Sequence, residues 1–518
     1  MSEYPHVYMV ASENGALPGG KAGGVGDVVR ELPRALAARG VGVTVLCPSY
    51  GTLHHVDGMT FTTRMVVPFG ATSLSVECWQ HVDDYGVTHL VFDHDGFNGD
   101  GKGSIYHDDG PLRPFATDAT RFALLCAAAA TWLPANAADD AILHLHDWHA
   151  APLAVLRAYE PALSTLQQWR TVFTLHNLGI QGIRPLADDA SSLSAWFPAL
   201  TVCERVVADP RYRNCFNPML AGIRLADAVN TVSPTNAREI LAPDDPARGY
   251  RGGEGLQDAL LAADAEGRLH GILNGCDYDV DASRLDWPAV RDTVLHTLHY
   301  WRQSDRVNGA LHDLARANFE AHSAERPSML LTSVGRLTDQ KLAIAMQQRE
   351  DGRTALEHAL DALDPDGLLT LVGTGDPDIE RALVEASQRD RRLVFLLGFS
   401  ETLADALYRG GDLFLMPSSY EPCGISQMLA MRSSQPCLVH AVGGLNDTVA
   451  DGLTGFTFAG DGAAAQADAF IARTHEAIAM FREAPENYAD IAEAAGHARY
   501  PWSDAARDYM EKLYGFAH

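Results

Sequence analysis

The 518-residue sequence predicts an α/β protein of two doubly wound domains, and three observations predict it. The chain is longer than one hydrophobic core usually grows. Short apolar runs alternate with helical patterns in two separate series. Polar, glycine-bearing motifs follow the carboxyl ends of those runs, where doubly wound folds bind ligands.

The first series begins with a buried strand at residues 6–11. A glycine-rich turn follows, then a helix that puts Val28, Val29, Leu32 and Leu36 on one face, then a strand at 41–47. Further parallel strands are predicted at 141–145, 171–175 and 228–232. The second series has strands at 329–334, 368–372, 393–397, 412–416 and 436–439. The reading therefore divides the chain into an N-terminal domain (1–275), a helical linker (276–326), a C-terminal domain (327–499) and a last helix (500–518). Tyr509, Met510, Leu513 and Tyr514 form the apolar positions of that helix, and Ser503 suits its N-cap.

Lys and Arg number 40 against 67 Asp and Glu, a formal charge of -27. Such a surface repels nucleic acid and anionic membranes, so any anion site must be a local cluster of cations and backbone N–H groups. The 8 cysteines form no CxxC pair, which suggests neither a zinc site nor a disulfide framework and fits a reducing cytoplasm. The first residues lack the basic and apolar regions of a signal peptide, and no run reaches the ~20 apolar residues of a membrane helix.

Lys21-Ala22-Gly23-Gly24-Val25-Gly26-Asp27 lies between the first strand and its helix. Glycines there let N–H groups approach a phosphate, and Lys21 adds positive charge; a plain strand–helix turn is the alternative. Asp27 suits sugar hydroxyls or a helix cap. His144-Leu145-His146-Asp147-Trp148-His149 offers two imidazoles on one strand face. No companion ligand motif accompanies it, so a polar loop lining the site is the preferred reading over a metal centre. Asp93-His94-Asp95 reads as an ordinary polar loop. His176 ends another strand, in Thr174-Leu175-His176-Asn177.

In the second series, Arg336 and Lys341 follow the first strand and suit a diphosphate leaving group, one as a planar fork and one as a point charge. Glu421 precedes a predicted helix N-terminus in Tyr420-Glu421-Pro422-Cys423-Gly424-Ile425-Ser426. The N–H groups of Gly424, Ile425 and Ser426 suit a phosphate, and an acidic cap is the alternative.

The ordered set of these motifs resembles the bacterial glycogen synthase and plant starch synthase family, retaining glucosyltransferases of the GT-B fold. The set also includes Thr231-Val232-Ser233-Pro234, Leu273-Asn274-Gly275, Gly373-Thr374-Gly375-Asp376-Pro377 and Gly443-Gly444-Leu445-Asn446-Asp447-Thr448-Val449, so it spans nearly the whole chain. The resemblance implies two Rossmann-like domains facing a deep cleft, with the last helix returning to the N-terminal domain. It implies glucose transfer from ADP-glucose to an α-1,4-glucan. Lys21, Arg336, Lys341 and two sets of backbone N–H groups supply the positive charge that a divalent ion would, so no metal or other cofactor is expected. The resemblance places Lys21, Gly23, Gly24, Arg336, Lys341 and the amides of Gly424 to Ser426 on the donor diphosphate. Asp27, His176, Asn274, Glu421 and the backbone of Cys423 fall around the glucose, Asp147 and Trp148 on the acceptor side, and Phe399 against the nucleobase. Catalysis falls to Glu421, His176, Arg336 and Lys341. Three positions depart from the family pattern: Leu342 stands where Gly is usual, Leu220 where Lys is common, and Ser426 where Thr is common. UDP-glucose as donor, a smaller acceptor, or a non-catalytic sugar-binding protein are the alternatives.

Overall fold

The computed structural model describes residues 4–99, 101–138 and 140–516. It divides into two compact units. Unit 1 holds residues 1–244, 252–275 and 502–518; unit 2 holds 245–251 and 276–501. The chain passes between the units four times, after Asp244, Arg251, Gly275 and Pro501.

Unit 1 is built on the strands β1 (His6–Val10), β2 (Val43–Pro48), β3 (Thr60–Phe69), β4 (Thr72–Val82), β5 (Thr88–Asp93), β6 (Ala141–His146), β7 (Arg170–Leu175), β8 (Arg184–Pro185), β9 (Cys215–Phe216), β10 (Ala228–Thr231) and β11 (Leu269–Gly271). Nine of them form one sheet in the order β11-β10-β7-β6-β1-β2-β5-β4-β3, and β8 pairs with β9 apart from it. The central strands run parallel, whereas β4 is antiparallel to both β3 and β5. The sheet is thus mixed where a parallel one was expected. β3 to β5 escaped the sequence reading: β3 is largely exposed despite the apolar Met65, Val66 and Val67, whereas β5 is buried over residues 89–92 but its apolar run is short.

Unit 2 carries β12 (Leu330–Val334), β13 (Leu368–Gly373), β14 (Leu393–Leu397), β15 (Leu413–Met416), β16 (Cys437–His440) and β17 (Gly455–Phe458). They form an all-parallel sheet in the order β14-β13-β12-β15-β16-β17. Numbered within the unit, this is 3-2-1-4-5-6, the Rossmann order, and the core of unit 1 repeats it. The order reverses between β12 and β15 in unit 2 and between β1 and β6 in unit 1. Loops leaving those strand pairs diverge and open the binding crevice of each sheet.

Residues 276–326 belong to unit 2. Its helices Trp287–Ser304 and Gly309–His322 bury Val290, Val294, Leu298 and Phe319 against Leu330, Leu368 and Leu396 of the sheet. The last helix, Trp502–Asp508, continues as a π-helical turn, Tyr509–Tyr514, and packs in unit 1. Tyr509, Met510, Leu513 and Tyr514 join Val7, Met9, Val28 and Leu32 in one buried cluster. Two phenols anchor it: Asn230 Nδ2 donates to Tyr509 Oη at 2.9 Å, and Tyr514 Oη lies 2.9 Å from His144 Nδ1.

Candidate active site

In unit 1 the turn after β1 is shaped by a residue outside the glycine motif. Glu13 is 1% exposed, and its Oε2 accepts the N–H groups of Ala22 (2.7 Å), Gly23 (2.7 Å) and Gly26 (3.3 Å). Tyr106 Oη donates to the other oxygen at 2.7 Å. Much of the amide cluster read as a phosphate cradle is therefore occupied by the protein's own carboxylate. The glycines sort accordingly. A Cβ at Gly26 would stand 2.9 Å from Glu13 Oε2, whereas one at Gly24 would have no protein atom within 4 Å. Lys21 pairs with Asp27 at 2.7 Å, and Asp27 also meets Arg30 at 3.3 Å.

The His144–His149 motif is not a loop. His144 and His146 lie in β6, and the helix Asp147–Tyr159 starts at once, with Asp147 in the left-handed region at φ 55°. Asp tolerates that conformation better than most residues. The bend lets Asp147 Oδ1 accept the N–H of His176 at 2.7 Å, tying the ends of β6 and β7 together. Burial is the main cause that pushes the Asp147 carboxyl up to about 7; the amides of His176 and Asn177 oppose it and the Glu13 charge adds to it.

Both nitrogens of His144 are used, by Tyr514 Oη and by Thr174 Oγ1 at 2.8 Å. His146 Nδ1 lies 3.0 Å from His176 Nε2. Burial holds His144, His149 and His176 down to about 3 and lowers His146 as well, so the cluster is neutral imidazole. Neutral rings can orient and hydrogen-bond sugar hydroxyls without adding charge. Among the described residues no three His, Cys, Asp or Glu side chains converge as a metal site. Asp93 instead faces His54 at 3.1 Å, and His94 accepts the N–H of Gly96.

Trp148 is 3% exposed and packs on Phe115 and Phe122. A Cβ at Gly182 would come within 2.1 Å of the indole, so Trp148 seats the 177–182 loop rather than presenting an open face. Gln181 in that loop accepts from Asn217 at 2.7 Å and from Arg211 at 2.8 Å, and Asn217 donates to the buried Asp209. Leu220 is buried in the helix that Asn217 caps. Asn274 is 5% exposed, and its side-chain oxygen is buried with no hydrogen-bond partner among the described residues.

In unit 2 the predicted charges gather at the switch point. Lys341 Nζ forms an ion pair with Glu421 Oε2; Lys341 lies on the short helix after β12 and Glu421 on the loop after β15. Backbone stitches hold the two segments: Ser419 N–H donates to the Gln340 carbonyl at 2.8 Å, and Gln340 Nε2 donates to the Tyr420 carbonyl at 2.9 Å. Arg336 and Lys341 line one cavity with Pro417 and Ser418 at the ends of β12, β13 and β15. Arg336 is exposed; its carbonyl accepts the N–H of Thr338 at 3.1 Å, and its guanidinium makes no hydrogen bond or ion pair among the described residues.

Three glycine contacts explain why these segments approach so closely. A Cβ at Gly373 would sit 2.1 Å from the Gly335 carbonyl oxygen. One at Gly443, where φ is 44°, would sit 1.9 Å from the Glu421 carbonyl oxygen, and one at Gly444 2.3 Å from that of Cys423. The Gly443-Gly444 pair was visible as a motif, but its role of backing the Glu421–Cys423 backbone was not.

Beyond Cys423, Gly424 has φ 76° and Ile425 precedes the helix Ser426–Arg432 with no side-chain cap. Gln427 Nε2 donates to the carbonyls of Cys423 (3.2 Å) and Gly424 (3.1 Å), fixing the turn. Tyr408 Oη donates to Ser426 Oγ at 3.1 Å, so that hydroxyl is already engaged. Phe399, after β14, is 63% exposed; Gly398 before it packs on Trp301, where a Cβ would come within 2.7 Å of the indole.

Comparison with known proteins agrees with this layout. Residues 6–262 match the model of the starch synthase catalytic domain, and residues 334–475 match that of the glycosyl transferases group 1. A glycogen synthase of Anaeromyxobacter sp. (strain Fw109-5) is 36% identical over 86% of this chain and 85% of its own. One of Deinococcus deserti is 33% identical over 97% of this chain and 98% of its own. Among solved structures, the catalytic domain of starch synthase IV from Arabidopsis thaliana, bound to ADP and acarbose, is similar with TM-score 0.77 and 26% identity over 99% of each chain. With identity above 30% to glycogen synthases over most of its length, the chain belongs to the glycogen and starch synthase family of GT-B glycosyltransferases.

Proposed function

We propose that this enzyme transfers glucose from ADP-glucose to the non-reducing end of an α-1,4-glucan, with retention of configuration and without a divalent ion. The observation that carries the reading is the unit 2 charge cluster: the Arg336 guanidinium, without a partner among the described residues, lies in one cavity with Lys341, which pairs with Glu421. In a chain of formal charge -27, cations gathered at a switch point suit a diphosphate.

Arg336 and Lys341 stabilise the charge that builds on the leaving phosphate, which is electrostatic catalysis. The acceptor hydroxyl attacks the face from which the diphosphate leaves, and the leaving phosphate takes its proton. Glu421 orients the glucose and stabilises its developing positive charge, so no second carboxylate is needed at the spacing of a retaining glycosidase. Gly424 to Ser426 supply amides to the distal phosphate, and the exposed Phe399 ring stacks on the base. His176, Asn274 and Asp27 meet the glucose hydroxyls. Asp147 holds His176 in place through its amide. ADP as the nucleotide is supported by the Arabidopsis enzyme, whose structure carries it. The proposed setting is the cytoplasm, supported by 8 free cysteines; among the described residues no helix is long and apolar enough to cross a membrane.

Labelled ADP-glucose and UDP-glucose, each with glycogen and with or without EDTA, test the proposal. Label enters precipitable glucan from ADP-glucose in EDTA. Incorporation from UDP-glucose alone overturns the donor, and activity abolished by EDTA and restored by Mg²⁺ or Mn²⁺ overturns the metal-free mechanism.

A further inference from the structure

The glycine-rich turn of unit 1 has the donor geometry of an anion site, and Glu13 fills it. Its Oε2 takes three amides, from Ala22, Gly23 and Gly26, within 3.3 Å. Successive N–H groups converging in this way form a nest that binds a carboxylate or a phosphate oxygen alike. The residues flanking Glu13 pin it. Tyr50 Oη donates to the Ser12 carbonyl at 2.6 Å, and Asn14 Nδ2 lies 3.0 Å from His89 Nδ1. The glycine requirement has the same origin: a Cβ at Gly23 would stand 3.3 Å from Glu13 Oε1, and one at Gly26 2.9 Å from Oε2.

We infer that Glu13 is a positioning residue for glucosyl transfer. Its carboxylate is an internal anion that sets the turn, so that Lys21 and the open backbone at Gly24, not the amides of Ala22, Gly23 and Gly26, are what the turn offers the donor. The inference rests on the reading that Lys21 faces the donor. Without the carboxylate the three amides lose their common acceptor, and a turn displaced by about 1 Å costs roughly 10²-fold in rate.

The test is chemical rescue. Glu13→Ala opens a space of carboxylate size beside the three amides. Its kcat/KM for the nucleotide-sugar falls about 10²-fold, and sodium formate restores a large part of it, where sodium chloride at equal ionic strength does not. Formate also raises the melting temperature of this variant and not that of the wild type. Glu13→Gln can set its amide oxygen on the three N–H groups and its NH2 on Tyr106 Oη, so it is impaired less than Glu13→Ala, and formate does not rescue it because its side chain occupies the space. Near-native turnover of Glu13→Ala, or equal recovery with chloride, overturns the inference. Should Glu13→Ala fail to fold, Glu13→Asp decides: a raised donor KM supports the inference and native kinetics overturn it. Lys21→Ala separates the two readings. Unchanged donor KM in Lys21→Ala removes the turn from the donor site, whereas formate rescue of Glu13→Ala still reports on the turn itself.

Discussion

The two units share a strand order and differ in how they treat charge at its switch point. In unit 1 the charges after β1 are answered from within, with Glu13 in the amide nest and Lys21 on Asp27, and the imidazoles are buried and neutral, His146 Nε2 and His149 Nδ1 lacking a hydrogen-bond partner among the described residues. In unit 2, Lys341 meets Glu421 but the exposed Arg336 guanidinium has no partner among the described residues. A shared topology thus supplies two places where loops diverge, and the side chains decide what each place does. Unit 1 pairs its charges internally, as Lys21 does with Asp27, and keeps its imidazoles neutral. Unit 2 leaves a cation for a ligand to complete.

The sharpest break in this comparison comes from the last helix. Deleting residues 502–518 strips Tyr509, Met510, Leu513 and Tyr514 from the unit 1 core, and truncating a single buried aromatic already costs ~3–5 kcal/mol. Unit 1 then fails to fold; a soluble, cooperatively melting and fully active truncation would refute the packing account. Glu421→Ala comes next. It leaves the fold intact by circular dichroism and lowers turnover about 10²–10³-fold, the usual cost of one preorganised electrostatic partner. Near-native turnover would remove Glu421 from the chemistry.

The imidazole cluster gives a pH signature. Burial holds His144, His149 and His176 at about 3, below the ordinary value of 6.5. Between those values the unfolded chain binds more protons than the native one, so stability falls as pH drops from 6.5 toward 3. Asp147, raised to about 7 by burial, acts in the opposite sense: the native state holds its proton longer, and stability falls as pH rises from 3.8 toward 7. The histidines outnumber it, so the melting temperature drops on acidification. His144→Phe, which removes one of these groups, flattens that slope; an unchanged slope would show that His144 is not among its causes.

The smallest effect on stability is expected at Gly24. Gly24→Ala meets no protein atom and stands at the start of a helix, so its melting temperature stays within about a degree of wild type, whereas Gly26→Ala lowers it clearly through contact with Glu13 and Lys21. A raised donor KM in Gly24→Ala, with the fold unchanged, would mark close approach of the nucleotide-sugar there.

What was legible in the sequence follows from burial. β1, β6, β7, β13 and β14 are buried along nearly their whole length and β12 over residues 330–332, so they read as mainly apolar runs. β3 and β4 are largely or partly solvated and pair antiparallel, so their apolar residues, Met65, Val66 and Val67 among them, do not mark a buried parallel strand; β5, though buried, is too short a run to stand out. Local motifs were likewise easier to see than tertiary ones. Arg336, Lys341 and Glu421 announce themselves as charges at strand ends. Glu13 does not, because glycines that admit a carboxylate look the same as glycines that admit a phosphate. The signal available was an acidic residue placed between β1 and the glycine turn. The work of Gly443 and Gly444 was hidden because their close neighbours, Glu421 and Cys423, lie about twenty residues away in the chain.

The central claim, that unit 2 leaves Arg336 for the donor diphosphate, is tested most directly by calorimetric titration of ADP into the wild type and Arg336→Ala. Losing a charge-assisted hydrogen bond to phosphate, worth about 1.5–3 kcal/mol, weakens ADP binding by at least tenfold. Affinity for glycogen stays the same. Equal ADP affinity in the two proteins would contradict the account, because the exposed unit 2 cation it assigns to the diphosphate would then face elsewhere.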